Sequence, residues 1–106
     1  MKKEVIVIGD GGHAKIVVEI LELMSSFEIT GITTNNTEAA TFLGYPVLGD
    51  DSVLEDYYKK GIRNVAIGIG GFRNNSLRRK IFENAKKIGF DVITAIHPRA
   101  IISKSA

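Results

Sequence analysis

Val5-Ile6-Val7-Ile8 running straight into Gly9-Asp10-Gly11-Gly12-His13-Ala14 restricts the fold more than any other stretch of this chain. Four consecutive β-branched residues, with no alternation, describe a strand covered on both faces, as strands of a parallel sheet are. The glycines that follow let the backbone turn tightly and come close to a ligand without Cβ obstruction. The free NH groups of the next helix's first turn, with the helix dipole behind them, attract an anion. The spacing satisfies Gly-x-Gly-x-x-Gly/Ala, and its place between a strand and a helix gives that otherwise weak pattern its meaning. A diphosphate suits such a turn. A plainer reading stays open on sequence, in which the glycines only make a tight, closely packed strand-to-helix turn.

Downstream, the apolar periodicity alternates between strand and helix. Ala14, Val17, Val18, Leu21 and Met24 recur at spacings of three and four and form one buried stripe on a helix that Ser25 and Ser26 end. Glu28 to Ile32 is a second strand, and strand, helix, strand implies a right-handed parallel crossover. Thr34 to Ala40 is polar and small, a surface loop at the sheet's carboxyl edge. Gly44 to Gly49 is a short extended piece between turns, after which Asp50 or Asp51 caps a helix carrying Val53, Leu54 and Tyr57 and closed by Gly61.

Asn64 to Ile69 is a third buried strand, and Gly70-Gly71 makes a second glycine turn where a parallel strand delivers the chain to a helix. Leu77, Ile81, Ala85 and Ile88 form the third helix's inner stripe, with Arg78, Arg79, Lys80, Lys86 and Lys87 mainly outward and Gly89 at its end. Asp91 to Ile96 is a fourth strand, stopped by His97-Pro98. The pattern predicts an α/β fold: a Rossmann-like open parallel sheet of about four to five strands with helices on both faces.

The 106 residues suffice for one core. The absence of cysteine excludes disulfides, thiolate metal sites and cysteine nucleophiles, and fits a reducing, cytoplasmic setting. With His13 and His97 as the two imidazoles, far apart in sequence, no metal is expected. The net charge of +2 is spread over helix surfaces without interleaved aromatics, which argues against nucleic acid as a partner. The early apolar run is broken by Asp10 too soon for a signal core, and no segment has membrane-spanning length.

A dinucleotide-binding domain of this spacing places an acidic residue roughly 20 residues further on, at the end of the second strand, for the ribose hydroxyls. Here that place reads Thr33-Thr34-Asn35, with no arginine nearby for a 2'-phosphate, so NAD is the second reading rather than the first. A P-loop is excluded because no Gly-Lys-Ser/Thr follows either glycine turn. His13, at the start of the first helix, is expected to be neutral, and either bonds a phosphate or sugar or else caps the helix. Asp10 would repel an anion if it pointed inward, so it is expected to point out or to bond a backbone NH.

Four stretches together resemble the amino-terminal domain of the bacterial sugar O-acyltransferases, the group of sialic acid O-acetyltransferases and UDP-amino-sugar N-acetyltransferases. They are Ile6 to Lys15, Gly44 to Asp50, Ala66-Ile67-Gly68 with Leu77 to Ile81, and Ile96 to Ser103. The resemblance implies a two-part enzyme in which this domain, residues 1–96, grips a UDP-sugar or related sugar nucleotide. Residues 97–106 would be the junction and the first residues of a truncated left-handed β-helix of hexapeptide repeats. That second part would bind acetyl-CoA as co-substrate and carry the catalytic histidine, so no catalytic residue is expected in this chain, which alone should be inactive. His97 is read as ordering the turn before Pro98.

The resemblance also implies a homotrimer for the full-length protein and, for this piece without its β-helix, a monomer. Its phosphate-holding loop maps onto Gly9, Asp10, Gly11, Gly12 and His13, and its nucleotide-facing second turn onto Gly68, Ile69 and Gly70. Thr34 and Asn35 stand where many members carry paired aspartates; they can hydrogen-bond but supply no charge. Arg78 is assigned to a solvated helix face, with contact to the ligand as the alternative. Rival readings are an NAD-binding domain of an oxidoreductase, a non-catalytic regulatory or CoA-binding module, and a scaffold whose glycine turn is empty.

Overall fold

A computed structural model of the chain describes residues 3–9, 12–34, 40–68 and 75–93. Its elements are β1 (Lys3–Ile8), α1 (Gly12–Leu23), β2 (Phe27–Thr33), β3 (Thr41–Phe42), β4 (Tyr45–Gly49), a 3-10 turn (Asp51–Val53), α2 (Leu54–Lys59), β5 (Asn64–Ile67), α3 (Asn75–Ile88) and β6 (Asp91–Ile93). The strands join in one sheet of order β3-β4-β2-β1-β5-β6. β1, β2, β4, β5 and β6 run parallel, and only the two-residue β3 is antiparallel, paired with β4.

The strand-helix alternation dictates two layers of packing. On β1, Val5 and Val7 face α1 with Ala66 of β5 and Ile32 of β2, against Ala14, Val17, Val18 and Leu21. Ile6 and Ile8 face the other way, with Val65 and Ile67, against Leu54 of α2 and Ile81 and Ala85 of α3. All four β-branched residues of β1 are essentially inaccessible, as an unalternating run in a doubly covered strand requires. The expected Rossmann-like sheet with helices on both faces is therefore present, with six strands in place of four to five.

Of the two extra strands, β4 comes from the segment read as a short extended piece, and β3 lies just before it. β4 pairs with β2 through Ile32 opposite Val47 and Thr33 opposite Gly49. Gly31 admits it: a Cβ there would lie 2.6 Å from Leu48 Cγ and 2.9 Å from the Pro46 carbonyl oxygen. An extra residue of β2, Thr30, lies between the partners of Val5 and Ile6, so β2 bulges where this close approach occurs.

Both helices on the second face end as their glycines predict. Beyond α2, Ile62 N donates to Tyr57 O at 3.1 Å and Gly61 N to Tyr58 O at 3.0 Å, the bond pair of a Schellman cap with Gly61 at positive φ. Beyond α3, Phe90 N donates to Ala85 O at 3.0 Å. Each cap drives an apolar residue into the core, Ile62 in one case and Phe90 in the other. β5 and β6 thus begin from fixed points. The fourth strand runs from Asp91 to Ile93, and its expected continuation through Ile96 lies outside the described residues.

Candidate functional site

From β1 the chain proceeds to β2 and β4 on one side and later to β5 and β6 on the other, so the strand order reverses between β1 and β5. In open α/β sheets the ligand crevice lies outside the carboxyl ends of the strands at such a reversal. Three expected site residues meet on that edge. Gly9 follows β1, Gly68 follows β5 and Thr34 follows β2.

Backbone bonds carry the sheet ladder one residue past its strands at each of these points. Gly9 N donates to Thr33 O at 2.6 Å, Gly68 N to Ile8 O at 2.8 Å and Thr34 N to Gly49 O at 2.9 Å. The amides of Gly9, Thr34 and Gly68 are therefore spent inside the sheet and hold the edge in place. Among the described residues at this edge, the backbone donors left for an anion are those of the first turn of α1, which starts at Gly12 and His13 and whose first amides have no intrahelical acceptors. That turn, Gly12-His13-Ala14-Lys15, contains no acidic residue to compete for them.

Two glycines make this geometry attainable. Gly9 has φ of 109°, a conformation L side chains rarely adopt, and it turns the chain from β1 toward α1. At Gly68 the constraint is space: a Cβ would sit 2.9 Å from both Cα and Cβ of Ala14 and 3.3 Å from Val7 Cγ1. The start of α1 rests directly on the end of β5. Gly68, expected to face the nucleotide, is thus buried and serves helix-to-strand contact at the crevice floor. Thr34 is also largely buried, at 5% exposure, with a bonding partner of its own.

A carboxylate not anticipated at this edge is that of Asp51. Asp50 takes the capping role, its carboxylate accepting from Ser52 N at 2.9 Å, and the Ser52 hydroxyl, with this backbone bond second, holds the Asp50 carboxyl below the ordinary range. Asp51 turns inward, where its Oδ1 accepts from Thr33 Oγ1 at 3.5 Å. Partial burial raises the Asp51 carboxyl, against the lowering effect of the Thr33 hydroxyl. With Ser52 and Glu55 on one side and Asn84, Lys87 and Ile88 of α3 on the other, it lines an open cleft of about 550 Å³. The Asp50-Asp51 pair was the available signal, since one cap uses one aspartate; the strand pairing that brings the second to β2 left no local trace.

Of the other expected site residues, Asp10, Gly11, Asn35, Ile69 and Gly70 lie outside the described residues, as do residues 94–106. For His13 and Arg78 the helical backbone is described, and the side chains lie outside the description. Among the described residues no three histidine, aspartate or glutamate side chains gather as metal ligands, and no helix is long and apolar enough to cross a membrane.

Residues 4–85 match the family model of the PglD N-terminal domain. UDP-N-acetylbacillosamine N-acetyltransferase of Bacillus subtilis (strain 168) is 32% identical over 108 residues, spanning 98% of this chain and 47% of that protein. Perosamine N-acetyltransferase from Caulobacter crescentus, solved as a single-residue variant in complex with CoA and GDP-perosamine, superposes with a TM-score of 0.83 at 37% identity, over 96% of this chain and 46% of that one. The acetyltransferase domain of PglB from Neisseria gonorrhoeae FA1090, in complex with acetyl coenzyme A, gives a TM-score of 0.76 at 30% identity, over 99% and 49%. The chain spans about half the length of these relatives. With its order of strands, its glycine turn at the reversal point and this agreement along nearly its whole length, the chain belongs to the PglD N-terminal domain family.

Proposed function

We propose that this chain is the sugar-nucleotide-binding part of an acetyl-CoA-dependent acyltransferase that modifies an amino or hydroxyl group of a nucleotide-linked sugar in glycan synthesis. The observation that carries the reading is the Gly9 turn at the β1/β5 reversal, leading into the first turn of α1, in a chain similar to an enzyme solved with GDP-perosamine. Amides of Gly11, Gly12 and His13 would hold the diphosphate. Thr34 and Asn35 would flank the nucleoside, and Ile69 and Gly70 would present backbone to the base.

No residue of this chain performs the acyl transfer in this reading. A histidine in the remainder of the protein would take the proton from the acceptor as the acetyl group arrives. That remainder would bind acetyl-CoA, which two of the structural relatives hold as CoA or acetyl-CoA. The complete protein would act in the cytoplasm as a homotrimer joined through its β-helices.

Thermal shift with a ligand panel tests the reading, because a ligand that binds only the folded state raises the melting temperature. UDP- and GDP-linked amino sugars at millimolar concentration should stabilise the chain, while NAD and CoA should not. Stabilisation by NAD alone would move the domain to an oxidoreductase. Stabilisation by CoA alone would make it a CoA-binding module, and no shift with any nucleotide would leave a scaffold.

A further inference from the structure

We propose that Asp51 supplies, from the loop after β4, the carboxylate that receives a ribose hydroxyl of the bound nucleotide, at the place where β2 itself ends without an acid. The inference rests on the sugar-nucleotide reading above and deepens it. β2 ends at Thr33, and the residues there offer hydroxyl and amide groups but no charge. The Asp51 carboxylate lies 3.5 Å from the Thr33 hydroxyl, so the neighbouring strand delivers to the end of β2 the group that β2 lacks.

The end of β2, where Asp51 arrives from the far side, stands one strand away from the end of β1. β2 lies beside β1, whose end leads into the diphosphate turn, and adjacent strands stand about 4.8 Å apart. One strand spacing is of the same order as the reach from a nucleotide's first phosphate to its ribose hydroxyls. A carboxylate has about four acceptor positions, and the Thr33 hydroxyl, at a long distance, takes one. The side chain is only half-buried and lines an open cleft, so it is reachable from solvent. Asp50 does not compete for the role, because it is committed to Ser52.

A purely structural Asp51 would do no more than satisfy the buried Thr33 hydroxyl. Asp51→Asn separates the two roles: its amide oxygen still accepts from Thr33, while an NH2 group replaces the second oxygen and can only donate, so the charged acceptor for the ribose O–H is lost. Calorimetric titration of the chain with UDP and GDP, and with their 2'-deoxy and 3'-deoxy counterparts, reads the difference. The wild type should prefer one ribonucleotide over its deoxy form by roughly tenfold or more, the scale of a hydrogen bond to a charged group. Asp51→Asn should bind both forms equally, at the deoxy level, with a melting temperature no lower than the wild type's.

Unchanged ribonucleotide affinity in the variant, or discrimination that survives the substitution, would overturn the assignment and leave the sugar-nucleotide reading intact. A variant that loses affinity equally for ribo and deoxy forms would overturn it as well. Failure of the wild type to bind any of these nucleotides would overturn both.

Discussion

Replacing Gly68 by alanine probes the join between β5 and α1, on which the whole crevice stands. The added Cβ would lie 2.9 Å from Cα and Cβ of Ala14, at least about 0.6 Å inside ordinary carbon–carbon contact. One of those atoms is backbone, so the start of α1 must move as a unit. Overpacking of this kind costs about 1–3 kcal/mol, while alanine's smaller freedom in the unfolded chain returns about 0.4–1 kcal/mol. Gly68 does not have a positive φ, so no backbone strain adds to the balance. Because one contact is to backbone, the cost lies toward the upper end of that range, and the net destabilisation is about 1–2.6 kcal/mol, or a fall in melting temperature of roughly 4–20 °C for a domain near this size.

The same displacement should weaken nucleotide diphosphate binding, because it shifts the amides of the first helical turn. Gly44→Ala is the control. Its Cβ meets nothing within 4 Å, so its cost comes from a φ of 87° alone, and it lies on the hairpin at the opposite edge of the sheet. It should lower stability by about 1–2 kcal/mol and leave nucleotide affinity unchanged. Thermal melts and calorimetry on both variants read the contrast. A Gly68→Ala protein as stable as the wild type would refute the claim that α1 rests on β5 through this glycine.

Two further outcomes follow from the loop after β4. Burial raises the Asp51 pKa above its unfolded value, so ionisation opposes folding; the penalty is absent well below the ordinary 3.8, where both states hold the proton, and sets in as pH rises through the folded-state pKa. Asp51→Asn should therefore gain in melting temperature on the wild type at neutral pH and lose that gain below pH 3.8, whereas a pH-independent difference would contradict it. Asp50→Ala removes the cap of the 3-10 turn that leads into α2 and should lower the urea midpoint at neutral pH, a loss that shrinks as pH falls below 3.8 through the lowered Asp50 pKa.

Local signals read well where one element decides its own state. The unbroken run Val5 to Ile8, the stripe Ala14 to Leu21 and the glycines at 61 and 89 each act through their own segment, and each stands as read. β4 was illegible as a strand because it contains Pro46 and forms only where Gly31 of β2 makes room for Leu48, a contact no local pattern records. β3 exists only as β4's two-residue partner. Gly68 carried a nucleotide-facing expectation from the family resemblance; that its missing Cβ makes room for Ala14, fifty-four positions earlier, is a long-range contact no local pattern records. For the same reason Asp51 read as a second candidate cap: its partner Thr33 belongs to another strand.

Amide chemical-shift mapping tests the central claim most directly, with isotope-labelled chain titrated with a UDP- or GDP-linked amino sugar. The account predicts that the largest shifts fall on Gly11, Gly12 and His13, with smaller ones at Thr34, Asp51 and Gly68 to Gly70, all on the carboxyl edge. Shifts gathered instead at the amino edge around Lys3, Arg63 and Asp91, or none at millimolar ligand, would contradict it.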